Sequence, residues 1–140
     1  MKIALDSSII FTLLKGQPGA EFISNNFDAW KRDPLTQILI CEMVVAEISP
    51  WFPTPNLFQT FLHDLEIEFD PITLCAATAA GRIHRRYRKE GGSRERMVPD
   101  FLVAAHASVQ ADALATLDRG FYRRYFPDLR LLGPGDSLER

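Results

Sequence analysis

The chain has 140 residues, 46% of them hydrophobic, which suits a single domain that can bury its own core. A formal net charge of -2 excludes a globally basic nucleic-acid binder, and no apolar stretch nears the ~20 residues of a membrane helix. The first residues enter a strand-like run without a signal-peptide core, and Cys41 and Cys75 lie in apolar contexts without CxxC spacing, so the expectation is a cytoplasmic protein with two buried, reduced thiols.

In chain order, Lys2 to Leu5 predicts a strand stopped by Asp6. Ser7 or Ser8 would cap a helix over Ile9 to Leu14, closed by Gly16. Pro18 to about Trp30 predicts a second helix on the spacing of Phe22, Ile23, Phe27 and Trp30. Gln37 to Ile40 predicts a strand and Glu42 to about Ser49 a helix with Met43, Ala46 and Glu47 on one face. After three prolines, Asn56 to about Asp64 predicts a helix, Glu66 to Phe69 a strand and Ile72 to Lys89 a long helix. Gly91-Gly92-Ser93 is the most flexible point by composition. Pro99 opens a helix to about Gln110, Leu114 to Leu117 is a strand, Phe121 to Tyr125 a short helix and Leu129 to Leu132 a last strand. A polar tail follows from Gly133 to residue 140. Strands alternating with helices predict an α/β fold in one domain over residues 1–140, its parallel sheet covered on both faces.

Four acids stand out against this frame. Asp6 and Asp118 end apolar strand-like runs, Glu47 lies within Met43-Val44-Val45-Ala46-Glu47-Ile48, and Asp100 opens Phe101-Leu102-Val103-Ala104-Ala105. An acid among apolar neighbours is costly unless it is paired or binds a metal, and sites in such sheets form beyond the carboxyl ends of the strands. The four therefore point to a divalent-cation site. Ser8 and Thr116 are placed to hydrogen-bond the acids or a water, or to serve as cap and strand end.

Seven of the 16 Lys and Arg lie between Arg82 and Arg96, and Arg119, Arg123 and Arg124 follow Asp118. Arg82, Arg85, Arg86 and Lys89, at i, i+3, i+4 and i+7, form one helix face. That face is either plainly solvated or a contact for the phosphates of a polyanion beside the acids. Trp51, Phe52, Phe58 and Phe61 form either core or a groove for a protein segment or second subunit. His63, His84 and His106 have no ligand spacing and are expected to be structural.

Four blocks, Ile3-Ala4-Leu5-Asp6-Ser7-Ser8, Val44-Val45-Ala46-Glu47-Ile48, Pro99-Asp100-Phe101-Leu102-Val103-Ala104-Ala105-His106-Ala107 and Leu114-Ala115-Thr116-Leu117-Asp118-Arg119-Gly120-Phe121, resemble in order the acid-bearing motifs of PIN-domain nucleases, and the length resembles that of VapC-type toxins. Ser7 stands where many members have Thr, and His106 where a small residue is commoner. The resemblance implies a three-layer α/β/α sandwich with a central parallel sheet. It implies an endoribonuclease using Mg²⁺ or Mn²⁺, with Asp6, Asp100 and Asp118 as ligands and Glu47 as ligand or water-orienting group. It also implies RNA as substrate, a cognate antitoxin and a homodimer. The alternatives are an RNA-processing nuclease without antitoxin and a silent PIN-like binding module. A response-regulator receiver would want adjacent acids on its first strand and a late lysine, and a haloacid-dehalogenase-like phosphatase an Asp-x-Asp. This chain has Asp6-Ser7-Ser8 and no lysine after Lys89.

Overall fold

The computed structural model describes residues 1–94, 96 and 98–133; the polar tail lies outside them except for Gly133. Strands β1 (Lys2–Leu5), β2 (Gln37–Ile40), β3 (Ile67–Phe69), β4 (Ala113–Ala115) and β5 (Leu131–Leu132) form one sheet in the order β3-β2-β1-β4-β5. Each neighbouring pair is parallel. Parallel neighbours cannot be joined by tight hairpins, so helices make the crossings. Helices α1 (Ser7–Lys15) and α2 (Ala20–Arg32) lead to β2. Helix α3 (Glu42–Ile48), a 3-10 turn at Ser49–Trp51 and α4 (Pro55–Asp64) lead to β3. Helices α5 (Leu74–Lys89) and α6 (Val98–Gln110) lead to β4, and α7 (Arg119–Tyr125) to β5. The result is the expected α/β/α sandwich.

Ile3, Ala4, Leu5, Ile38, Leu39, Ile40, Ala113, Leu114 and Ala115 are all buried. Such unbroken apolar runs mark strands covered on both faces, and each fully buried Leu or Ile contributes roughly 1.5–3 kcal/mol of transfer free energy. The chain steps outward from β1 to β3, then returns through α5 and α6 to lay β4 against the other side of β1. The strand order therefore reverses between β1 and β4, and the crevice beyond their carboxyl ends is where such sheets bind ligands.

Local differences from the sequence reading have identifiable causes. Helix α1 begins at Ser7, with Asp6 at the N-cap position and no side-chain cap, because the Ser7 and Ser8 hydroxyls that could cap bond instead to Glu47 and Asp6, and the Asp6 carboxylate bonds to Ser8 and Thr116. Strand β4 ends at Ala115 rather than Leu117, because the N–H groups of Leu117 and Asp118 donate to the hydroxyls of Ser8 and Thr116 and not to a neighbouring strand. Cys41 is buried as expected, but Cys75 is exposed. The inner face of α5 carries Ala76 and Ala80, both fully buried, which turns Cys75 outward.

The glycine pair after α5 is fastened. The Tyr87 hydroxyl donates to the Ser93 carbonyl at 2.7 Å, and the Gly92 N–H to the Tyr87 carbonyl at 2.9 Å. A Cβ on Gly92 would lie 2.5 Å from the Tyr87 ring, so glycine is needed for close approach.

His106 is buried, and its Nε2 lies 2.9 Å from Asp70 Oδ2, which also accepts from Gln110 Nε2 at 3.0 Å. This network ties α6 to the end of β3, the structural role expected of the histidine. His106→Ala should leave a cavity and weaken the satisfaction of Asp70, lowering stability by about 2–4 kcal/mol in urea unfolding. A loss below about 0.5 kcal/mol would contradict this role.

Candidate active site

Asp6 leaves β1 at the reversal of strand order. It is 9% exposed, and its Oδ2 accepts two hydroxyl bonds, from Thr116 Oγ1 at 2.8 Å and Ser8 Oγ at 3.0 Å. Each hydroxyl is also an acceptor: Thr116 takes the Asp118 N–H at 3.0 Å and Ser8 takes the Leu117 N–H at 3.2 Å. The β1–α1 turn and the β4–α7 turn are thus bolted together through one carboxylate oxygen. Asp118, at the N-cap of α7, is brought to Asp6 by this clamp.

The other acids arrive on helices. Asp100 lies in the first turn of α6, where the helix N-terminus favours an anion. Glu47, near the end of α3, is exposed, yet its carboxyl is held by Ser7 Oγ, which donates to Oε2 at 2.9 Å. Of the four acids only Asp6 is buried; Asp100 and Asp118 are half-buried. The premise that all four sit in apolar surroundings therefore holds for Asp6 alone.

The acids nonetheless feel one another. Burial pushes the Asp6 carboxyl above its ordinary value, partly offset by the hydroxyls of Thr116 and Ser8, and Asp118 pushes it further up. Although the residue as a whole is exposed, partial desolvation of its carboxyl also raises Glu47, with Ser7 opposing the rise and Asp6 and Asp100 adding to it. Tyr122, buried beneath them, has its phenol driven far up, chiefly by burial and then by Asp6, Asp100 and Asp118, so it remains a neutral O–H group. Arg96 Nη1 meets Asp118 Oδ2 at 2.6 Å, with its guanidinium 4.2 Å from the centroid of the Phe121 ring.

An all-oxygen set of mutually repelling carboxylates suits a hard divalent cation such as Mg²⁺ or Mn²⁺. Among the described residues no three His, Cys, Asp or Glu groups are arranged to hold an ion by themselves. Hydrated Mg²⁺ needs only one or two direct carboxylates, so the donor chemistry fits a site completed by water.

The structure brings together Asp6, Glu47, Asp100, Asp118, Ser8 and Thr116. Arg82, Arg85, Arg86 and Lys89 are exposed on α5, and Arg86 lines a cleft with Tyr125, Pro127 and Asp128. The proline-rich segment divides between the two readings. Phe58 is buried, Phe52 and Phe61 pack partly buried against the core, and Trp51 is 58% exposed against the edge of Phe11. Sequence reasoning assigns Ser7 only a helix cap, counts Arg96 among many rim charges, and passes over Tyr122. The only available signals are adjacency to Asp6 for Ser7 and to the Asp118 block for Tyr122.

The raised carboxyls have a consequence for stability. A folded Asp6 with a raised pKa binds its proton more tightly than the unfolded chain does, so its contribution is greatest at low pH and is lost as pH rises through the folded pKa. In EDTA at about pH 7.5, Asp6→Asn should melt a few degrees above the wild type, the gap narrowing toward about pH 4.5. A variant less stable than wild type at neutral pH would contradict the desolvated state of Asp6.

The sequence profile of the PIN domain matches residues 3–127. No curated protein sequence matches significantly. Among solved structures, the chain is similar to one in VapBC2 from Rickettsia felis bound to a DNA fragment from its promoter, with TM-score 0.72 and 20% identity over 95% of this chain and 98% of that one. It is also similar to a chain of VapBC-1 from nontypeable Haemophilus influenzae, with TM-score 0.73 and 21% identity over 97% and 100%. A chain of FitAcB from Neisseria gonorrhoeae matches with TM-score 0.67 and 20% identity over 94% and 97%. At these identities the likeness is one of fold. The profile match spans most of the chain, which therefore belongs to the PIN domain family, a family generally of nucleases that typically use divalent metal ions.

Proposed function

We propose that this protein is a metal-dependent endoribonuclease, the VapC-type toxin of a toxin–antitoxin pair. The observation that carries the reading is the convergence of Asp6, Glu47, Asp100 and Asp118 at the reversal of strand order of a PIN fold. Asp6, Asp100 and Asp118 would hold Mg²⁺ or Mn²⁺. A bound ion would neutralise phosphate charge and supply a water acidic enough to attack.

The protein's own groups do the rest. The Ser8–Thr116 clamp holds Asp6 and the Asp118 turn in one geometry before substrate arrives, so little reorganisation is required in the reaction. Glu47, held by Ser7 and with a raised proton affinity, is suited to orient a water and accept its proton. Arg82, Arg85, Arg86 and Lys89 would attract the RNA from outside, their effect weakening with salt.

One structure of similar fold is a toxin–antitoxin complex from Klebsiella pneumoniae, and others are VapBC assemblies, which supports a cognate antitoxin here as well; a homodimer is part of the same proposal. The exposed Trp51 beside Phe11 is an apolar surface on which such a partner could rest. Among the described residues no helix is long and apolar enough to cross a membrane.

Purified protein should cleave single-stranded RNA with Mn²⁺ or Mg²⁺, and EDTA should abolish cleavage. Asp6→Asn, Asp100→Asn and Asp118→Asn should each lower the rate by about 100-fold or more, and Glu47→Gln by at least about tenfold. Undiminished cleavage by the Asp variants would refute the assignment, and binding without cleavage by the wild type would favour a silent binding module.

A further inference from the structure

A cavity of about 360 Å³ is lined by His84 and Arg88 of α5, by Arg94 and Arg96, and by Val98 at the start of α6. Among the described residues, three guanidiniums line it and no carboxylate does. Among those residues, too, Arg88 and Arg94 are exposed and form no ion pair. Arg96 reaches from the same lining to Asp118 Oδ2 at 2.6 Å, so the cavity adjoins the acidic centre through one shared side chain.

The rest of the lining is of a different kind. His84 packs edge-on to Phe101, with centroids 5.0 Å apart, and Val98 is 43% exposed. Guanidiniums beside an imidazole and an apolar surface match a nucleotide, which pairs a phosphate with a flat base and a sugar. The stretch from the end of α5 to Ser93, which leads into the cavity, is held in place. The Tyr87 hydroxyl fixes Ser93, Gly92 lies tight against the Tyr87 ring, and Tyr87 packs on Phe101 and Tyr125.

We propose that this cavity is a nucleotide subsite for the RNA strand. Arg88 and Arg94 take a phosphate neighbouring the scissile one, and His84 and Val98 face its base or sugar. Arg96 joins the subsite to the acidic centre by neutralising Asp118. This deepens, and rests on, the nuclease reading above. An acidic peptide would satisfy the guanidiniums but leave the imidazole and Val98 without a purpose.

The test is fluorescence anisotropy with a fluorescein-labelled single-stranded RNA oligonucleotide of mixed sequence, in EDTA so that no cleavage intervenes. The Arg88→Gln/Arg94→Gln double variant is compared with Lys2→Gln/Arg32→Gln, which removes the same charge from exposed positions elsewhere. The first should bind about tenfold more weakly than wild type, with a salt dependence shallower by about 0.7 for each phosphate no longer neutralised. The second should stay within about twofold of wild type, and both should keep the wild-type melting temperature.

Equal losses in the two variants would overturn the subsite. So would an equal loss of affinity for poly-glutamate and for RNA in the Arg88/Arg94 variant, since that reads as a general polyanion patch. A wild type that binds RNA through Arg88 and Arg94 but does not cleave it with Mn²⁺ would sink the nuclease reading and keep the RNA subsite. A wild type that cleaves but binds independently of these arginines would sink the subsite alone.

Discussion

The site depends on one carboxylate oxygen. Asp6 Oδ2 accepts from Thr116 and Ser8, and those same hydroxyls take the backbone N–H groups of Asp118 and Leu117. Hydrogen bonds to a charged acceptor are worth roughly 1.5–3 kcal/mol each, so the clamp can hold two turns that the sheet alone leaves free. Strand pairing between β1 and β4 ends at Leu5 and Ala115. Beyond that point, besides the backbone bond from Asp6 N–H to the Ala115 carbonyl, these side chains continue the register.

The arrangement carries a tension. The two hydroxyls favour the charged form of Asp6, while burial and Asp118 disfavour it, and burial prevails. At Glu47 the same contest recurs, with Ser7 opposing desolvation and the acidic neighbours. Desolvated and set beside other acids, the Asp6 and Glu47 carboxylates are unfavourable at neutral pH and would gain stability from a cation that enters. Arg96 supplies part of that positive charge from within the chain, through its ion pair with Asp118. The desolvation of Asp6 and Glu47 persists beside it. A stable scaffold thus holds a locally unfavourable centre, a trade typical of functional sites.

Much of this is legible in the chain. The apolar runs Ile3-Ala4-Leu5 and Ile38-Leu39-Ile40 announce buried parallel strands, and the αL Gly16 closes α1 as its position suggests. The acids are legible because each interrupts or borders an apolar run. Less legible is what depends on the direction of a side chain. Adjacent serines Ser7 and Ser8 look interchangeable in sequence, yet one serves Glu47 and the other Asp6, because successive residues at a helix start point about 100° apart. Cys75 looks internal by hydropathy and is external, since small alanines take the inner face of α5. The basic helix hides its own asymmetry. Arg88, outside the i, i+3, i+4, i+7 face, lies with His84 on the side toward Arg96, while Arg86 turns toward α7 and the residues after it.

The proposed divalent-cation centre at the acids around Asp6 can be tested directly. Its most direct measurement is an anomalous difference map from crystals soaked in Mn²⁺ at millimolar concentration. A peak is expected among the carboxylates of Asp6, Asp100 and Asp118, with Ser8 and Thr116 still bonded to Asp6. A peak elsewhere, or none in crystals whose carboxylates are accessible to solvent, would contradict it.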